Sequence, residues 1–198
     1  MRIIAHGIRS LFIAGLMAWA IPTMAQWELD TNHSALNFVS IKNNSIAETH
    51  VFNSMVGFVG KDGRVQLAID LDSVETLIPI RNERMRELLF QTALFPTANI
   101  TAQVAPEVLA AIAEGGFVTT DIAVTLSLHG MERELSVPVM VKGEEGGLMR
   151  VFTPRPVIVT AADFGLEDGV TALREIAGLN SISTAVPVTL HLVFTPAS

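Results

Sequence analysis

The segment VTTDIAVTLSLHGMERELSVPVMV, residues 118–141, decides the fold class of this chain. Apolar residues alternate with polar ones on both sides of the dipeptide His129-Gly130. The alternating positions are Ile122, Val124, Leu126, Leu128, Leu135, Val137, Val139 and Val141. A period of two puts successive side chains on opposite faces of a strand. Two such runs around a short turn predict an antiparallel hairpin.

The same alternation recurs along most of the chain. It predicts further strands at residues 27–31, 35–41, 51–59, 64–71, 98–104, 148–160 and 186–194. Tight or loose turns are predicted at 61–63 and 144–147, and short helices at 81–90 and 106–113, with a weaker helical pattern at 170–177. The chain is therefore predicted to be mainly β, an antiparallel barrel of about eight strands with one or two short helices. A barrel is favoured because it leaves no long exposed edge strand.

Residues 1–25 differ from the rest of the chain. Arg2 and Arg9 carry the formal charges, Leu11–Ala20 is almost wholly apolar, and Thr23-Met24-Ala25 precedes Gln26. This is the pattern of a secretory signal peptide with a small-residue cleavage site. The apolar run is about half of the ~20 residues that a membrane span needs. We therefore expect residues 1–25 to be a signal peptide, residues 26–198 to be one exported domain, and the mature form to have no transmembrane span.

Composition excludes several classes of function. Loss of Arg2 and Arg9 would take the formal net charge from −7 to −9. Such an acidic protein is a poor candidate for binding nucleic acid. The chain contains no cysteine, which excludes disulfides, thiol catalysis and thiolate metal sites.

Candidate catalytic residues are sparse. The histidines of the mature chain, His33, His50, His129 and His191, lack the spacing of a metal motif and are expected in surface or loop positions, with His191 facing away from the apolar interior. No Gly-x-Ser-x-Gly nucleophile motif occurs. The sequence therefore predicts no catalytic residue, metal ligand or cofactor.

Three arginines on one predicted helix form the densest basic cluster of the mature chain. Arg81, Arg84 and Arg86 could bind a phosphate or a polarised oxygen at a cavity mouth, or could form a solvated helix face with Glu83 and Glu87. Arg84 is the best candidate for ligand binding because it borders the apolar position Met85. On this hypothesis, Arg84→Ala weakens binding by about 1–3 kcal/mol, the usual contribution of a charge-assisted hydrogen bond.

The order of several sequence segments resembles the YceI-like family of bacterial periplasmic proteins. The matching segments are Trp27–Asp30, Ser34–Phe38, Val56–Gly60, Ile80–Arg86, Leu94–Ala98, Thr125–Gly130 and Ala162–Gly165. The resemblance implies a lipocalin-like barrel with an apolar tunnel that binds a polyisoprenoid chain, such as a prenyl quinone or a prenyl pyrophosphate, or another amphiphilic lipid.

The resemblance and the strand parity together give a set of expected ligand-binding residues. They are Leu36, Phe38, Leu67, Ile69, Arg84, Met85, Ile100, Ile122, Val124, Leu126, Val137, Val139, Leu190 and Leu192. The leading hypothesis is a periplasmic lipid carrier without enzymatic activity. Two alternatives stay open: a secreted hydrolase or isomerase with an Arg/His/Asp site at the barrel mouth, and a stress-response protein with a filled core. The oligomeric state, monomer or homodimer, also stays open.

Overall fold

The computed structural model describes residues 25–197, so the predicted signal peptide lies outside the described residues except for Ala25. The strands of this range are β1 (Ala25–Leu29), β2 (Ala35–Lys42), β3 (Ile46–Phe52), β4 (Met55–Gly60), β5 (Arg64–Asp70), β6 (Val74–Glu75), β7 (Thr97–Gln103), β8 (Phe117–Leu128), β9 (Met131–Gly143), β10 (Met149–Phe152), β11 (Val157–Thr160) and β12 (Ala185–Pro196). The helices are α1 (Pro79–Arg84), which continues as a π-helical turn (Met85–Phe90), α2 (Pro106–Ala113) and α3 (Glu167–Ile176).

Eight of these strands form a closed antiparallel barrel in the order β1-β4-β5-β7-β8-β9-β10-β12, and β12 returns to pair with β1. The other four lengthen one end: β2 pairs with β12 and β3, β6 pairs with β3, and β11 pairs with β12. The predicted barrel of about eight strands is thus confirmed. Closure removes the exposed strand edges that would otherwise invite aggregation.

The predicted central hairpin is the longest pairing in the barrel. Strands β8 and β9 are in register from Phe117–Lys142 to Leu128–Met131. Both turn residues have positive φ, 52° at His129 and 75° at Gly130. This is the turn that matches the right-handed twist of the flanking strands. The turn prediction at His129-Gly130 is confirmed.

Two predicted strands are wrong in their continuity. The stretch 51–59 divides into β3 and β4 because the amides of Asn53 and Ser54 bond to Ser73 instead of to a strand partner. The stretch 148–160 divides into β10 and β11 because Pro154 and Pro156 lack the N–H that a ladder needs. The helix predicted from residue 81 begins at Pro79, and the helix predicted from residue 170 begins at Glu167.

The helices close the two ends of the barrel. Helix α2 packs on β8 and β9, where a Cβ on Gly143 would lie 2.0 Å from the carbonyl oxygen of Ile112. Helix α3 packs on the π-helical turn, where a Cβ on Gly169 would lie 2.7 Å from the carbonyl oxygen of Leu88. The missing side chains therefore allow both close approaches. Within residues 25–197, every helix falls short of the length and apolar character that crossing a bilayer requires.

Candidate functional site

The barrel interior holds two apolar cavities. The large chamber has a volume of about 180 Å³ and the small chamber about 120 Å³. Among residues 25–197, apolar side chains line both, and Thr153 is the one polar residue at the wall of the large chamber. Its hydroxyl oxygen accepts a hydrogen bond from the amide of Leu190 at 3.2 Å. The walls can therefore bury a hydrocarbon and offer almost nothing to a charged or catalytic group.

The twelve strand residues expected to contact a ligand all line these chambers. Leu36, Phe38, Ile69 and Leu126 line the large chamber. Leu67, Ile122, Val139 and Leu192 line the small chamber. The inward orientation that strand parity predicts is thus confirmed, since a slip of one residue would have turned each of these side chains outward. Their contact with a ligand stays a prediction.

Four residues belong to both chambers and form a waist between them. They are Ile100, Val124, Val137 and Leu190. A slender chain that passed this waist would have the use of both volumes, which together reach the roughly 300 Å³ at which ligand pockets begin. The waist is therefore the position where a single substitution would divide the interior.

The helices supply chamber walls that the strand pattern did not predict. The large chamber is closed by Leu89 and Phe90 of the π-helical turn, by Leu166, which precedes α3, and by Val170 of α3. Val108, Leu109 and Ile112 of α2 close the small one. Met85, an expected ligand contact, is buried in the core but lines neither chamber. Helical periodicity can predict the apolar face of a helix, but it cannot say which chamber the helix covers.

The inner face of the β2–β3 hairpin changes from apolar to polar as it leaves the large chamber. Phe38 lines that chamber and lies opposite His50. Two residues further along β2, Ser40 lies opposite Glu48. Since side chains two residues apart share a face of a strand, these four lie on the same side of the hairpin. The barrel therefore has a polar end beside an apolar interior.

His50 corrects the expectation that the histidines occupy surface or loop positions. Its side chain is 3% exposed, and one ring nitrogen, Nε2, lies 2.8 Å from the hydroxyl of Ser40. The ring also packs against Phe38, with centroids 5.1 Å apart. His191 is exposed, as expected, and His129 lies in the predicted turn. The burial of His50 was not predicted, because the strand was expected to begin at residue 51. The observed strand β3 begins at Ile46 and therefore includes His50.

The arginine cluster is divided by its contacts. Arg81 donates hydrogen bonds to the carboxylate of Glu48 and to the carbonyl oxygen of Thr76, and Glu48 also pairs with Lys42 at 2.9 Å. Arg86 donates to the carbonyl oxygen of Asp72. Arg84 is half-buried and lines neither chamber, and its side chain has no hydrogen bond or ion pair to residues 25–197. The proposed ligand contact of Arg84 stays a prediction, and Arg81 emerges as the arginine tied to the polar end.

We expect His50 to make stability fall as pH falls below neutrality. Burial, and then the charge of Arg81, lowers the pKa of His50 from its usual value of 6.5. On acidification, the His50 imidazole is protonated at a higher pH in the unfolded chain than in the folded one. The stability contributed by this histidine is therefore complete above about pH 6.5 and is lost as the pH falls towards the folded-state pKa. The melting temperature of the wild type should fall as the pH is lowered from about 7.5 to about 5.5. The melting temperature of His50→Leu should fall less over the same range. An equal fall in both proteins would contradict this assignment. The pKa of Glu48 is also lowered from its usual value of 4.5, first by the hydrogen bond with Lys42. The stability that Glu48 contributes is therefore lost at a lower pH than the contribution of His50.

No cluster of three His, Asp or Glu side chains that could hold a metal ion occurs among the described residues. At the polar end, the carboxylate of Glu48 pairs with both Lys42 and Arg81. What the two chambers can do is bury an apolar chain.

Comparison with known proteins agrees with this architecture. No curated protein matches the chain. A polyisoprenoid-binding domain from Saccharophagus degradans, implicated in plant cell wall breakdown, is 38% identical, with a TM-score of 0.84 over 87% of this chain and 99% of that chain. Burkholderia cenocepacia BcnA shares the fold at 19% identity, with a TM-score of 0.63 over 83% of this chain and 98% of that one. The family of the YceI-like domain matches residues 27–194. The chain belongs to the YceI-like domain family.

Proposed function

We propose that this protein is a periplasmic binding or carrier protein for a long-chain isoprenoid lipid, whose tail lies in the two chambers of the barrel. One observation carries the proposal: the apolar lining continues through the waist from the helix α2 end to the helix α3 end. The 38% identity to a polyisoprenoid-binding domain supports the same ligand class. A slender chain of repeating small units suits an interior made of two chambers that share wall residues.

Burial of the tail supplies enough free energy for tight binding. Each methylene moved from water to an apolar site contributes roughly 0.8 kcal/mol. About ten such groups would contribute roughly 8 kcal/mol, before the entropy of association is subtracted. Such binding needs no catalytic group, and within residues 25–197 the chamber walls carry none that is free to react. The two chambers also disfavour the alternative of a filled core.

Titration with a fluorescent polyprenyl probe tests the proposal. We expect saturable binding of one probe per chain, displacement by an unlabelled long-chain polyprenol, and much weaker displacement by a prenol of one or two isoprene units. The short competitor fills only part of the chambers and therefore loses most of the apolar contribution. Absence of saturable binding, or equal displacement by the short prenol, would contradict a long-chain isoprenoid site.

We further propose export, with cleavage after Ala25. The charged, apolar and small-residue regions of residues 1–25 support it. N-terminal sequencing of the protein from a periplasmic fraction should begin at Gln26, leaving residues 26–198 as the mature domain. Recovery of intact Met1 from that fraction would contradict cleavage.

A further inference from the structure

Three aliphatic side chains project from the loop that leads into helix α1. Leu77, Ile78 and Ile80 are all exposed, and Leu77, at 87%, is the most exposed large apolar side chain of residues 25–197. Single exposed apolar residues are common on protein surfaces, but three of them around one proline form a continuous apolar tip. Residues 77–80 are called the apolar loop below.

The backbone of Leu77 indicates that its side chain has a use outside the fold. Its φ is 63°, in the left-handed region that residues with a Cβ rarely adopt. Glycine or asparagine takes this conformation more readily, and a side chain this exposed adds nothing to the core. For folding alone, a leucine is therefore the wrong residue at this position.

Buried polar contacts hold the base of the apolar loop. The side chain of Asn82 accepts a hydrogen bond from the amide of Thr76 at 2.9 Å and donates one to the carboxylate of Glu75 at 3.0 Å. Both Asn82 and Thr76 are buried. The same carboxylate accepts from the amide of Leu77. The loop is thus fixed in a conformation that points Leu77 into solvent.

The backbone of the loop also makes hydrogen bonds within the protein. The carbonyl oxygen of Ile78 accepts from the amides of Arg81 and Asn82, and that of Thr76 accepts from the guanidinium of Arg81. Pro79 has no N–H to satisfy. Polar groups that are already paired cost little to move into an apolar medium. The apolar loop can therefore leave water at a small polar cost.

We propose that the apolar loop docks this protein on a zwitterionic phospholipid bilayer, with Leu77, Ile78 and Ile80 inserted beneath the head groups. A tip that projects fits a fluid bilayer, which yields around it, whereas a protein partner would need a groove of matching shape. The driving force is the apolar area that leaves water. This inference goes beyond the proposed function, because docking on a membrane does not depend on what the chambers hold.

The charges around the apolar loop favour a zwitterionic surface over an anionic one. Arg84 lies four residues after Ile80 on the same face of α1, and its side chain has no polar partner among residues 25–197, so it can donate to a lipid phosphate. The exposed carboxylate of Glu83 beside it offsets that charge locally. The net charge of the chain, −7, opposes an anionic surface.

The apolar loop lies next to the wall of the large chamber. Helix α1 continues directly into the π-helical turn, whose Leu89 and Phe90 line that chamber. Docking through the loop would therefore hold the helical end of the large chamber at the membrane, where a lipid cargo enters or leaves its bilayer.

Binding to vesicles of phosphatidylcholine that contain no isoprenoid tests the docking. Leu77→Asn removes the aliphatic side chain and suits the positive φ, so the fold should be kept. We expect its affinity for the vesicles to fall about tenfold, the effect of losing one inserted leucine. Phe117→Asn is the matched control, because Phe117 is an exposed apolar residue that follows α2 at the other end of the barrel. Its affinity should equal that of the wild type.

The three proteins are purified in the same way, and intact mass checks that they have the same N-terminus, so any contribution of residues 1–25 is shared. Replacement of part of the phosphatidylcholine by phosphatidylglycerol should weaken binding of the wild type. Failure of the wild type to bind neutral vesicles, equal binding by Leu77→Asn, or stronger binding to the anionic vesicles would each overturn the proposal. A wild-type dimer that Leu77→Asn converts to a monomer, without vesicle binding, would assign the loop to a second copy instead.

A measurement on the wild type does not depend on the folding of any variant. Vesicles that carry a nitroxide-labelled lipid broaden the NMR signals of residues that lie at the bilayer. We expect the signals of residues 77–80 to broaden much more than that of Phe117. Equal broadening at both ends of the barrel, or none at either, would overturn docking through the apolar loop.

Discussion

Val124→Trp is expected to weaken binding of a long-chain polyprenol by about 100-fold or more. Val124 lines both chambers, so an indole at this position would fill the waist and confine the tail to one chamber. Exclusion of about four methylene groups at roughly 0.8 kcal/mol each amounts to about 3 kcal/mol. A short prenol that fits one chamber should lose much less affinity. Titration of both ligands with the purified variant measures the difference.

The matched control is Ala123→Trp, which adds an indole at the adjacent, outward-facing position of the same strand. It should bind the long polyprenol as the wild type does. Overpacking at position 124 itself costs typically 1–3 kcal/mol of stability, so thermal melts must show that the variant is folded at the temperature of the titration. Unchanged long-chain affinity in folded Val124→Trp would mean that the tail does not pass the waist.

Phe164→Ala is expected to lower the free energy of unfolding by about 3–5 kcal/mol. The Phe164 side chain is 1% exposed and packs in the core beneath the wall of the large chamber, without lining it. Phe164 ends a short 3-10 helix (Ala161–Phe164), and removal of its ring leaves a cavity that the close-packed core around it can fill only in part. Urea denaturation with linear extrapolation measures the change.

Phe117→Ala is the control for this loss. Phe117 is 54% exposed at the start of β8, so its substitution should change stability by no more than about 0.5 kcal/mol. Similar losses in the two variants would contradict the assignment of Phe164 to the core.

The parity of the apolar residues was sufficient to predict the barrel wall. Strands such as β8 bury every second side chain, and the period of two leaves no freedom about which set faces inward. Where strands break, local chemistry decides instead. Pro154 and Pro156 were visible in the sequence as residues that cannot donate to a ladder, yet the apolar residues on either side resembled one continuous strand.

The polar end could not be predicted from the sequence because it depends on contacts between distant segments. His50 and Arg81 are 31 positions apart, and Glu48 and the hairpin register bring them together. The sequence indicated an arginine cluster but could not distinguish Arg81, which contacts β3, from Arg84, which contacts no polar partner among residues 25–197. Helical spacing predicts on which face of the helix a residue lies, but it does not predict which other segment that face contacts.

Lipid extraction and mass spectrometry of the protein purified from its native envelope test the central claim most directly. We expect about one polyisoprenoid lipid per chain in the wild type, and a large depletion of that lipid in Val124→Trp. Recovery of folded wild-type protein with no isoprenoid, or with isoprenoid equally abundant in wild type and Val124→Trp, would contradict it.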